Sequence, residues 1–227
     1  MMPNNLFIAP SILSADFAHL GDKIHELTQL GVRMLHLDIM DGLFVPNFTF
    51  GPVVVASLRK SSDLFFDVHL MVNDPMHLID AFIDAGADCI TIHYESCNNP
   101  KAVLSYIRSK HVKAGLAVSP ETPAEVMIPV LSQIDLALIM TVRPGRSNQA
   151  FMADMIPKVR KIKRASLERN PDLMIEVDGG IKPATIGSVS SAGANVFVVG
   201  SALIDTKHPR TVMSGLKEGI KNNPYRP

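Results

Sequence analysis

The chain has 227 residues, 47% of them hydrophobic and 19% charged, and its 22 basic and 22 acidic side chains cancel to a formal net charge of zero. That length allows one sizeable core, and the balanced charge argues against a protein built to coat nucleic acid. Two cysteines, Cys89 and Cys97, form neither a disulfide framework nor a zinc motif; with no membrane-length apolar run and no signal-peptide pattern in MMPNNLF, a reducing cytoplasm is the expected setting.

Taken in chain order, short apolar runs predict strands over 6–14 (LFIAPSILS), 34–40 (MLHLDIM), 64–72 (LFFDVHLMV) and 89–95 (CITIHYE). Four more follow over 113–119 (KAGLAVS), 136–142 (LALIMTV), 173–180 (LMIEVDGG) and 196–203 (VFVVGSAL). A helix-length segment follows each, from DFAHLGDKIHELTQLG to PRTVMSGLKEGIKNN. Small or turn residues precede several strands, at Gly31, Gly86-Ala87 and Gly193-Ala194-Asn195. Near-continuous apolar strands alternating with helices mean a parallel sheet covered on its outer face. Eight such units predict a single (β/α)8 TIM barrel, with residues 1–227 as one catalytic domain. An open doubly wound sheet usually needs fewer strands, and its early glycine fingerprint is absent. The basic run KVRKIKRASLER (158–169) is expected to be a solvated helix face, with Val159, Ile162 and Leu167 turned toward the barrel.

Strand side chains alternate between faces. In 34–40 that puts His36, Asp38 and Met40 on one face and Leu35, Leu37 and Ile39 on the other. The outer face of a barrel meets helices and must be apolar, so the first set points inward. The same parity turns His69 and Met71 inward, with Asp67 deeper, and likewise His93 and Glu95, Glu176 and Asp178, and Ser11. Buried unpaired charge is expensive, and barrel chemistry sits at the C-terminal ends of the strands. His36, Asp38, His69 and Asp178 are expected in the second halves of their strands. Together they make a candidate site for one divalent metal ion: zinc, ferrous iron, manganese or cobalt. Asp67, His93 and Glu95 are read as structural polar groups, and Met40, Met71 and Met140 as packing.

Such a metal with two carboxylates suits acid/base work beside a carbonyl: one carboxylate removes a proton, the metal steadies the enediolate oxygens, and the other carboxylate returns a proton. Hydrolysis by a metal-bound water is compatible with the same ligands. A Schiff-base aldolase fits poorly, because Lys113 starts a strand and Lys182 follows one.

APSILSADF, LHLDIMDGLFVPNFTFGP, DVHLMV, GLAVSPETP and IEVDGGIKPATI lie in the same order, over nearly the whole chain, as in ribulose-phosphate 3-epimerases, and the sequence resembles that family. The resemblance implies interconversion of D-ribulose 5-phosphate and D-xylulose 5-phosphate, a small phosphorylated ketose being the partner. It implies metal ligation by His36, Asp38, His69 and Asp178, with Asp38 and Asp178 as the acid/base pair working from opposite faces. Ser11 and His69 would contact substrate, and Met40, Met71 and Met140 would wall the enediolate. Gly179, Gly180, Gly200 and Ser201 would face the phosphate with the loop after the sixth strand. That loop departs from the family. Arg143-Pro144-Gly145-Arg146-Ser147-Asn148-Gln149 stands where an NPGFGGQ-like segment is expected, so Gly145, Arg146, Ser147 and Asn148 are candidate phosphate contacts in which an arginine fork and a hydroxyl replace backbone donors. A hexulose-phosphate 3-epimerase acting on allulose 6-phosphate, or a phosphosugar-binding barrel without catalysis, are the competing readings. Barrels of this type often associate, so a homo-oligomer is compatible with the sequence.

Overall fold

The computed structural model describes residues 6–226. Each apolar run forms a strand because both of its faces are covered. The strands are β1 (Phe7–Pro10), β2 (Met34–Met40), β3 (Phe65–Met71), β4 (Cys89–His93), β5 (Lys113–Val118), β6 (Leu136–Met140), β7 (Met174–Asp178) and β8 (Val196–Val199). All neighbours pair in parallel, in the order β1-β8-β7-β6-β5-β4-β3-β2. A single parallel bridge between Ser11 and His36 joins the two ends. The ring therefore closes at two residues that also belong to the candidate site.

The helices lie outside: α1 (Leu20–Gln29), α2 (Pro52–Arg59), α3 (Ile79–Asp84), α4 (Pro100–Ser109), α5 (Ile156–Arg169), α6 (Ile186–Ala192), α7 (Ser201–Ile204) and α8 (Pro209–Asn222). The outward strand residues, among them Leu35, Leu37, Ile39, Val68 and Leu70, share one continuous core with Ile24 and Leu27 of α1 and Val55 and Leu58 of α2. Inside the ring, Ala9, Met34 and Val196 form an apolar plug, backed by Phe7, Phe65 and Met174. The polar residues stand above that plug.

Several local expectations change. The strands predicted over 136–142, 173–180 and 196–203 stop at Met140, Asp178 and Val199, and Ser201 instead starts the short helix α7. The strand predicted over 6–14 stops at Pro10; Ser11 then accepts a hydrogen bond from the Leu13 N–H and starts a short 3-10 turn, Ile12–Ser14. The strand predicted over 89–95 stops at His93, and Glu95 lies in the turn Tyr94–Ser96. Between β5 and β6 the chain winds as a 3-10 helix, Ala124–Gln133, rather than an α-helix. Pro129 inside it lacks the N–H an α-helix would use and would clash with the preceding turn. On α5, Leu167 is 44% exposed, whereas Val159, Ile162 and Ser166 are buried. Positions 159, 162 and 166 share one stripe at 3.6 residues per turn and 167 lies off it, so Ser166 takes the place predicted for Leu167. Nor is every charge on α5 simply solvated, because Lys158 Nζ donates to the carbonyls of Ser119, Pro120 and Thr122. That clamp fixes the loop after β5.

Candidate active site

Parallel pairing in register brings the site together. His36 of β2 stands beside Asp67 of β3, and Asp38 beside His69. His36 is the third of seven residues in β2, below the strand's second half, and still reaches the cluster through Nε2. His36 Nε2 lies 3.2 Å from His69 Nδ1 and 3.3 Å from Asp38 Oδ1. His69 Nδ1 lies 3.1 Å from Asp38 Oδ1, and Asp178 Oδ2, from β7, is 4.0 Å from His36 Nε2. Four ligand atoms on a cation at zinc-type bond lengths of about 2.0–2.1 Å would be about 3.3 Å apart in a tetrahedron. His36, Asp38 and His69 already have that spacing, and a small movement of Asp178 completes it. All four ligand atoms lie within 4.8 Å of one another, so the donor set fits a divalent cation.

The environment separates the two aspartates. Burial opposes ionisation of Asp38, but the charge and hydrogen bond of His36 beside it outweigh that cost and hold its carboxyl far below the usual range. The Ser11 hydroxyl also donates to Asp38 Oδ2 at 2.5 Å. Asp178 is treated oppositely: burial, and then the Asp38 charge, push it up to about 7. Burial takes His69 down to about 4. For His36 burial is outweighed by the Asp38 charge, and its pKa lies well above the ordinary value.

Residues outside the cluster orient it. His36 Nδ1 donates to Asp67 Oδ2 at 2.7 Å, and Asp67 Oδ1 accepts from Thr91 Oγ1 at 3.1 Å. A metal-binding histidine ordinarily donates its second ring N–H to a carboxylate in this way. Asp67 is therefore the orienting partner of His36 rather than only a structural polar group; its inward parity is legible in the sequence, but its pairing with His36 comes from the strand register. Glu176 lies behind it, with Oε1 3.5 Å from His36 Nδ1 and neither oxygen hydrogen-bonded. Burial and the Asp67 charge push Glu176 up to about 8, which favours its protonated form. On the other side, His69 Nε2 meets His93 Nε2 at 2.9 Å, and His93 Nδ1 meets Glu95 Oε2 at 3.0 Å.

A cavity of about 360 Å³ opens above Asp38 and Asp178. Its walls include Ser11, Met40, Met71 and Met140 below, and Gly179, Gly180, Gly200 and Ser201 at the late loops. Gly145, Arg146, Ser147 and Asn148 complete the rim. His36 and His69 are fully buried and lie behind this surface, so the structure brings His69 to the metal cluster but not to the cavity wall. Gly180 (φ +66) permits the turn after β7, and a Cβ there would sit 2.5 Å from the Phe151 backbone nitrogen. Gly180→Ala is expected to destabilise the protein by more than about 1 kcal/mol; an unchanged urea midpoint would contradict this account of the turn.

The atypical loop is held by its own Gln149 and by two residues from neighbouring segments, Asn47 and Glu121. Gln149 Nε2 donates to the carbonyls of Arg143 (2.7 Å) and Arg146 (2.8 Å), and Asn47 Nδ2 donates to the Gly145 carbonyl at 3.3 Å. Arg143 is drawn to Glu121 of the neighbouring loop, Nε to Oε1 2.7 Å. Arg146 carries no ion pair among the described residues and lines the cavity.

Fold and site together define a class: a (β/α)8-barrel enzyme whose His2Asp2 cluster, buried at His36, Asp38 and His69 and half-buried at Asp178, stands at the C-terminal mouth of the barrel. Residues 7–204 match the model of the ribulose-phosphate 3 epimerase family. Relatives named ribulose-phosphate 3-epimerase include one from Bacillus subtilis (strain 168), 43% identical, covering 92% of this chain and 97% of the relative, and one from Eremothecium gossypii, 42% identical, covering 95% and 93%. Among solved structures, 3-keto-L-gulonate-6-phosphate decarboxylase from Vibrio cholerae superposes with a TM-score of 0.72 at 14% identity, covering 96% of this chain and 98% of the other; that likeness concerns the fold alone. The chain belongs to the ribulose-phosphate 3-epimerase family.

Proposed function

We propose that the chain interconverts D-ribulose 5-phosphate and D-xylulose 5-phosphate as a divalent-metal-dependent 3-epimerase, with the whole barrel as one catalytic unit. The observation that carries this reading is the pair Asp38 and Asp178: they come from β2 and β7, face one cavity, and have opposite preferences for the proton. Environments that drive two carboxylates apart in this way divide the roles of base and acid. A cation such as zinc, ferrous iron, manganese or cobalt would be held by His36, Asp38, His69 and Asp178, and when bound it supplies Lewis acidity that makes the C3 proton beside the ketone easier to remove.

The side chains do the rest. Asp38, ionised and steadied by the Ser11 hydroxyl, takes the C3 proton from one face of the sugar; Asp178, carrying a proton, returns one to the other face, and the stereocentre inverts. In the reverse direction the roles exchange. Met40, Met71 and Met140 exclude water from the planar intermediate without offering it a proton. Gly179, Gly180, Gly200 and Ser201 face the phosphate with Gly145, Arg146, Ser147 and Asn148. Arg146, rather than the Glu121-bound Arg143, is the cation that meets it. A cytoplasmic location is part of this reading, supported by a 40% identical relative from Oryza sativa named as a cytoplasmic isoform and by the absence, among the described residues, of any helix long and apolar enough to cross a membrane. Association of copies is also compatible with it.

Purified protein supplied with each candidate metal should epimerise ribulose 5-phosphate faster than allulose 6-phosphate; a strong preference for the six-carbon sugar would move the assignment to a hexulose-phosphate epimerase. Arg146→Ala is expected to raise KM by about tenfold or more, the worth of a hydrogen bond to a charged group, with kcat nearly unchanged. An unaltered KM would return Arg146 to the solvent.

A further inference from the structure

The cluster holds one feature that the proposed reaction does not use. His69, His93 and Glu95 form a chain: Nε2 to Nε2 at 2.9 Å, then His93 Nδ1 to Glu95 Oε2 at 3.0 Å. Both imidazoles are fully buried, and the Phe44 ring covers His93 at a centroid distance of 4.8 Å. Glu95 is itself anchored. Its Oε1 accepts from the Ser119 N–H at 2.8 Å and from the Thr122 hydroxyl. Burial opposes its ionisation, but the hydrogen bonds of His93 and Thr122 pull its pKa to about 2. The loop carrying Ser119 and Thr122 is the one clamped by Lys158.

We propose that Glu95 and His93 are positioning residues that set the tautomer of His69, so that its Nδ1 presents a lone pair to the cation cluster. An ionised carboxylate can only accept, so His93 must place its proton on Nδ1. His93 Nε2 is then the acceptor for the His69 Nε2–H. With that nitrogen protonated, the neutral His69 ring has its lone pair on Nδ1, the atom 3.1 Å from Asp38 Oδ1 and 3.2 Å from His36 Nε2. The second nitrogen of a histidine selects the state of the first. Asp67 does this for His36 in one step, and Glu95 does it for His69 in two.

Glu95→Gln tests the direction of the chain. Ser119 and Thr122 both donate to Oε1, so they retain the amide oxygen there. The amide NH2 then faces His93 Nδ1 and requires a lone pair from it. The proton moves to His93 Nε2, His69 Nε2 must accept, and His69 carries its proton on Nδ1, where the cation should bind. The inference rests on the metal-dependent reading, and two readouts keep the two apart. First, ring ¹⁵N spectra of chelator-treated protein should show His93 protonated on Nδ1 in the unsubstituted protein and on Nε2 in Glu95→Gln; an unchanged His93 tautomer overturns the relay, whatever the metal does. Second, zinc competition against a chromophoric chelator should show a 10–100-fold loss of affinity in Glu95→Gln, the usual size for an orienting partner. That loss should vanish when His93 is already replaced by Gln, because the chain is then cut. Equal losses in both backgrounds would make Glu95 a merely structural residue and overturn the proposal. Failure of the unsubstituted protein to bind zinc or any other divalent metal would instead defeat the metal-dependent reading.

Discussion

Asp178→Asn is expected to lower turnover about a thousandfold, within the range lost with a general acid or base, while leaving the barrel folded. The substitution is isosteric, and no hydrogen bond through the carboxylate is lost, because the contacts made by Asp178 to Thr141 use its backbone carbonyl. Stability points the same way. The folded-state pKa of Asp178 is raised from 3.8 to about 7, so the folded chain holds this proton more tightly than the unfolded one. That contribution is fully present below pH about 3.8 and is lost as pH rises through about 7. At pH 8 and without added metal, the neutral asparagine should therefore be no less stable than the buried aspartate. The decisive measurement is solvent deuterium incorporation at C3 of ribulose 5-phosphate, followed by proton NMR at saturating metal. If the variant exchanges that proton at the rate of the unsubstituted protein, Asp178 has no part in the mechanism.

The second large effect is expected from chelation. Stripping divalent metal should reduce epimerisation at least a hundredfold, and restoring one of the four candidate ions should recover it. Full activity after exhaustive chelation would refute metal dependence outright. Stability should follow occupancy: metal at 100 times its Kd adds about 2.7 kcal/mol to the folded state, visible as a concentration-dependent Tm. The pH dependence has a definite sign, because a cation competes with protons for its ligands. His36 is raised well above its ordinary value and must give up its Nε2 proton to offer the cation a lone pair. Metal uptake should therefore release protons, and the apparent affinity should fall as pH drops. Titration of the stripped protein at several pH values checks this, and an affinity that rose on acidification would contradict it.

Much of the site was legible because a strand has a strict period of two. Once the outer face of 34–40 had to be apolar, His36, Asp38 and Met40 could only point inward, and the same reasoning placed His69, Glu176 and Asp178. Period two says nothing about how far along the barrel axis each residue stands. His36 is the third of seven residues in the predicted strand as in the observed one, so the expectation of it in the second half fails on position along the strand rather than on parity, and Ser11 falls at the seam of the ring rather than within a strand. Helical periodicity was weaker on α5, where Leu167 and Ser166 compete for one stripe and the smaller polar residue is the buried one. Glu95 was read only as a structural polar group, because its part in orienting His69 depends on a turn after β4 and on a loop after β5 that lies more than twenty residues away.

By itself, the sequence determined the eight-unit barrel, the inward-facing histidines and aspartates, and the departure of the RPGRSNQ loop, since each follows from local pattern or from a residue's identity. The tertiary structure decided which of two nearby arginines is left for an anion, which carboxylate orients which imidazole, and which aspartate keeps its proton. Those outcomes depend on distances between segments far apart in the chain and on the water that their packing excludes. Both the Coulomb energy and the desolvation cost of a charge are set by that three-dimensional surrounding, which no local pattern of residues encodes.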